Sequence, residues 1–263
     1  MAMIRWLGFA AGIVLLLATA SSVIKTLLIP RAARSVFGTT LGWLDRWVFS
    51  KITARVEDVR QRERILASAA PAMLIALLIS WLVCLLLSYA LLLWPLNHHT
   101  FPLALEESGS SLFTLGFVRP VGAGPVAVVF LAGASGLALV ALLIAYLPTL
   151  YTAFNRREIA VTTLEALAGS PPWGPELLAR PALIGDVAYL PKVYERWTDW
   201  AADISESHTN YRTLAYFRSP DPQTSWLLGL LAVLDAAALH LALNPSTASR
   251  PSSQEVCGSG DRK

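Results

Sequence analysis

Residues 108–117 read Ser-Gly-Ser-Ser-Leu-Phe-Thr-Leu-Gly-Phe and lie between two long apolar runs, 72–94 and 124–147. A helix that crosses a bilayer needs about 20 apolar residues, so this stretch is too short to span. Backbone at membrane depth must be hydrogen-bonded within the protein or must line a water-filled cavity. A span, a short helix over 103–113, a Thr-x-Gly-aromatic stretch and a second span are the parts of a re-entrant ion path. The expected fold is therefore all-α and membrane-bound. It has three transmembrane helices, a re-entrant pore helix and filter between the second and third, and a small helical cytoplasmic region.

Composition supports the membrane reading. The chain has 263 residues, 55% hydrophobic and 15% charged, with mean hydropathy +0.53, whereas soluble domains carry about 25% charged residues. A net charge of +3 is too small to argue for a nucleic-acid partner. Cys84 lies in an apolar run and Cys257 in a polar tail, which reads as two free thiols rather than a disulfide framework. No nucleophile–base set, nucleotide loop or metal-ligand spacing stands out, so neither an enzyme, a cofactor nor a bound metal is expected.

Upstream, residues 6–24 give an apolar run between Arg5 and Lys25, with Ala18-Thr19-Ala20 resembling a cleavage box. Charge favours a retained span. Segment 25–64 carries nine Lys/Arg against four acids, which the positive-inside rule puts in the cytoplasm, leaving the N-terminus outside. Within 30–67, Leu41, Leu44, Val48 and Ile52 share a helical face. Trp43 and Trp47 beside Arg46 and Lys51 suit a helix in the inner interface; a solvated helical hairpin is the alternative. The second span, 68–94, ends at Trp94-Pro95, followed by an exposed loop with His98 and His99, a pair without a third metal ligand. Between 72 and 155 the only Lys or Arg is Arg119, so loop 96–123 reads as external.

Downstream, the third span, 124–147, carries Gly133 and Gly136 near its middle and ends at Pro148; Arg156-Arg157 return the chain to the cytoplasm. Residues 157–168 read as a separate helix stopped by Gly169, with Pro175 opening the next. In 192–206, Val193, Trp197, Trp200 and Ile204 fall on one face and Glu195, Asp199, Asp203 and Glu206 on the other, read as solvated. This region, 151–243, has too few residues for a large core of its own. Residues 226–243 read as a helix buried in that region, because Asp235 is costly at mid-bilayer; a fourth span is the alternative. The tail 244–263 has a disordered composition.

On Thr114, Leu115, Gly116, Phe117 and Val118, the sequence resembles the bacterial potassium-channel family with one pore loop between two transmembrane helices. There the filter reads Thr-Val-Gly-Tyr-Gly. The resemblance covers roughly residues 68–150, a little under a third of the chain. It implies a pore module over 68–150 and a conducting filter at Thr114–Phe117. It further implies Ser110 and Ser111 at the cavity-facing helix end, and Gly133 or Gly136 as the gating hinge, with plain packing the alternative for both glycines. The implied function is an ion-channel subunit for potassium or another monovalent cation. It would work as a homotetramer in the bacterial inner membrane, with lipid around it and residues 25–67 and 151–225 cytoplasmic. Val118 stands where the family has a second glycine, and Arg119 where it has an aspartate, so the permeant ion stays open. The alternative function is a non-conducting membrane-anchored scaffold that binds a partner through its cytoplasmic helices.

Overall fold

The computed structural model describes residues 2–29, 36–96, 100–219 and 221–243. The His98–His99 pair, Arg31, Arg34 and the tail 244–263 with Cys257 lie outside the described residues. Among the described residues every regular element is helical: α1 (Ala2–Leu27), α2 (Val36–Thr53), α3 (Val59–Ala67), α4 (Ala69–Leu96), α5 (Phe101–Leu112), α6 (Ala123–Ala168), α7 (Gly174–Leu183), α8 (Leu190–Asn210) and α9 (Trp226–Leu243), with short 3-10 turns between the later ones. The segments containing α1, α4, α6 and α9 are long and apolar enough to cross a membrane.

The chain divides into two compact units. One takes the residues up to Arg46 with Pro71–Thr149. Its core face on α4 repeats every three or four residues, with Leu77, Trp81, Leu85, Tyr89 and Leu92 all buried, and meets Val23 of α1 and Ala132 and Leu139 of α6. Lipid tails are as apolar as leucine, so such helices associate through close packing and hydrogen bonds. Both are present. A Cβ on Gly12 would stand 3.0 Å from Leu91 Cβ and from the Ser88 carbonyl. Trp81 Nε1 donates to Ser22 Oγ at 3.1 Å, and the Tyr89 hydroxyl donates to the Leu131 carbonyl at 3.2 Å while also meeting the Ser135 hydroxyl.

The other unit takes Trp47–Ala70 and the residues from Leu150 on. On α8, Val193, Trp197, Trp200 and Ile204 are buried, the face expected from the sequence, while Glu195, Asp199 and Glu206 are exposed. They join Leu164, Leu177, Val233, Ala236 and Ala237 in a well-formed core. That core is larger than expected because α9 contributes to it and because each buried indole removes on the order of 150–250 Å² from solvent. Helix α9 buries Gly229, Ala232, Val233, Ala236 and Ala237 and leaves Leu227, Leu231, Leu239 and Leu243 exposed.

Pro148 does not end the third apolar helix. Helix α6 runs through it to Ala168, where Gly169 (φ 79°) stops it as expected, and the separate helix expected over 157–168 is its continuation. Proline removes one donor from the ladder, the one that would reach the Ile144 carbonyl, and a helix packed against other helices tolerates that loss. Similarly, α4 carries Pro95 inside its last turn.

Candidate functional site

Helix α5 spans twelve residues, about 18 Å at 1.5 Å per residue, well short of the roughly 30 Å of a hydrocarbon core. Pro102 opens it without loss, since the first amides of a helix have no internal acceptor. Ala104, Glu107, Ser108 and Leu112 form its buried stripe, at helical spacing, together with Ser110. Ser108 Oγ donates to the Leu86 carbonyl at 2.8 Å, fixing α5 to α4.

The helix ends in a left-handed cap built around Ser110. Thr114 N–H donates to the Ser111 carbonyl (3.0 Å), and Leu115 N–H (2.8 Å) and Gly116 N–H (3.2 Å) both donate to the Ser110 carbonyl. The pattern is a Schellman motif. The Ser110 hydroxyl then accepts from Val118 N–H at 3.2 Å. Thr114 holds φ 56° and Gly116 φ 71°. For glycine that conformation is free, but for a β-branched residue it is an outlier costing on the order of 1–3 kcal/mol. Thr114 is the one non-glycine residue at positive φ among the described residues, and Val118 is not in that region. At Val118, where the resembled family has a second glycine, the backbone is not left-handed.

Ser110, Ser111 and Thr114–Phe117 thus form one continuous piece. Leu115 and Phe117 are 64% and 65% exposed, and Arg119 is exposed as well. With the amides of 114–116 turned back to α5, no donor among the described residues reaches the carbonyls of Thr114, Leu115, Gly116 or Phe117. Gly133 and Gly136 lie beside this piece. A Cβ on Gly136 would run into the Leu112 carbonyl oxygen, and one on Gly133 would stand 3.4 Å from the Ser111 oxygen. Both glycines are where α6 passes the last turn of α5, which gives them a packing role whatever else they do.

Glu107, only 2% exposed, is a residue that sequence reasoning assigned no role. Glu106 beside it is exposed. Helical phase was the available signal: position 107 falls three residues after Ala104, on the inward stripe. The Tyr89–Ser135 contact left no sequence signal, because its partners are far apart in the chain. No protein-family model, curated protein or solved structure matches the sequence.

Proposed function

We propose that the chain is a pore-forming subunit of an ion channel in the cell's inner membrane. It would conduct potassium or another monovalent cation through Thr114–Phe117 of four copies. One observation carries this reading: a helix too short to cross, seated between two long apolar helices, ends in a run of carbonyls that no donor among the described residues reaches. Such oxygens are what replaces the hydration shell of a permeating cation. One loop per chain cannot encircle an ion, so the reading demands closed fourfold symmetry. It also takes the N-terminus and loop 96–123 as external, with 25–67 and 151–225 cytoplasmic, as the distribution of basic residues favours. In this reading α9 does not span, since Asp235 near its middle opposes insertion.

The test compares Gly116→Ala with Gly109→Ala. Nothing lies within 4 Å of a Cβ built on Gly116, so its substitution strains only the backbone, whereas Gly109 is helical and open to alanine. In reconstituted bilayers Gly116→Ala should abolish current while the tetramer persists in native mass spectrometry, and Gly109→Ala should conduct. Equal conduction by the two, or no current from the unmodified chain, removes the pore. A second reading, a membrane-anchored scaffold, is favoured by the Ser110 cap itself, because one chain completes that cap without partner copies. A stable monomer in native mass spectrometry would put it ahead.

A further inference from the structure

A groove of about 230 Å³ opens between α6 and α8, wholly within the second unit. Its floor is Leu164, Trp197 and Trp200, and its only charged walls among the described residues are Arg156 and Arg196. Arg156 keeps a 3.1 Å contact with Asp203, with both side chains partly in solvent, so that pair is weak and exchangeable. Arg196 is exposed and has no ion-pair partner among the described residues. Trp200 is only 8% exposed, and its Nε1–H meets no acceptor. Two guanidinium-bearing side chains and a tryptophan with an unmatched indole donor line one groove, a lining suited to an anion. The volume is below the roughly 300 Å³ at which pockets begin to hold drug-sized molecules, so the anion is a small group.

Sequence position narrows the source. Arg156 is the first charged residue on α6, after a run without charge from Pro120 to Asn155. It therefore marks where that helix leaves an apolar surrounding, which is where lipid phosphates are met. Basic pockets at that level hold anionic headgroups. We infer that the Arg156–Arg196–Trp200 groove binds the phosphate headgroup of an anionic phospholipid of the surrounding leaflet. This rests on the membrane reading of the chain and not on conduction; a channel and a scaffold would carry the site alike.

The full chain in mild nonionic detergent is titrated with dihexanoyl phosphatidylglycerol, dihexanoyl phosphatidylcholine and free glycerol phosphate, with retained ligand counted by native mass spectrometry. Phosphatidylglycerol should bind in preference to the other two. Arg196→Gln should weaken it about fivefold, the worth of one basic residue near an anionic surface. Trp200→Phe, which keeps the aromatic floor and removes the donor, should weaken it about tenfold. Lys192→Gln on the same helix, outside the groove but equal in charge change, should leave affinity unchanged. Three results each overturn the site: phosphatidylcholine binding as tightly, Lys192→Gln losing as much as Arg196→Gln, or neither groove variant changing affinity. Glycerol phosphate binding as tightly as the lipid would overturn the membrane source.

Discussion

Trp81 and Trp197 are both buried tryptophans, yet they meet different neighbours. Trp81, in the unit with α1 and α4, lies among leucines and spends its indole N–H on Ser22. Trp197, in the other unit, lies 4.5 Å from the Trp200 ring centroid and presses a Gly229 Cβ position to 3.0 Å. The first unit is held by glycine contacts and single hydroxyl bonds, the means left when the surroundings are as apolar as the core. The second is held by aromatic rings packed at a tilt to one another and by Arg157. That guanidinium is 1% exposed, donates to the Phe217 carbonyl at 3.0 Å, contacts Glu158 at 2.9 Å and lies over the Phe154 and Trp226 rings. Burial of large aromatic area is effective where water is the alternative. Helix α9, apolar enough to span, combines both means: Trp226 joins the aromatic rings, while Gly229 lets Trp197 come close and Gly174 of α7 lets the two helices approach.

The contrast is open to breakage, beginning with its strongest element. Arg157→Ala should lower stability by about 3–5 kcal/mol, because Glu158 loses its partner and the carbonyls of Leu214 and Phe217 lose their donor. Urea unfolding of the full chain in detergent, followed by tryptophan fluorescence, reads this directly. A cost no larger than that of Ser22→Ala would erase the distinction between the units. Next, Gly136→Ala drives a methyl into the Leu112 carbonyl, a backbone atom that cannot step aside; overpacking of this kind costs about 1–3 kcal/mol. A lowered thermal midpoint in the same detergent is expected, and an unchanged one would show that α5 is free to shift. The smallest effect belongs to Ser22→Ala, which removes the acceptor of Trp81 and should cost about 0.6 kcal/mol by the same unfolding measurement. A loss above about 1.7 kcal/mol, the most such bonds have shown, would mean that Ser22 holds more than one indole.

Local pattern was legible in the sequence, and distant pairing was not. The α8 face of Val193, Trp197, Trp200 and Ile204 follows from 3.6-residue periodicity, and the shortness of α5 from the length of its apolar surroundings. Gly116, the glycine on which the family likeness turns, has a positive φ. Arg157 had been read as a topological charge; its carbonyl acceptors are 57 and 60 residues away, beyond any local pattern. Pro148 misled for a related reason. Its helix-breaking tendency is a property of one residue, and the apolar residues on both sides, which have no other way to satisfy their backbone, outvote it. Helix α9 was ambiguous because length and hydropathy are the same for a span and for a buried helix, and its small-residue face against α7 and α8 suits both uses.

Ser110 has one further consequence, for engineering. Through its carbonyl and its hydroxyl it takes three amides, those of Leu115, Gly116 and Val118, while the side chains of Leu115 and Phe117 project outward with no share in that bonding. The loop is thus a chassis with two interchangeable fittings. A library randomised at 115 and 117 should keep its backbone and vary only what the loop presents, whereas one randomised at 110 should scatter the backbone itself.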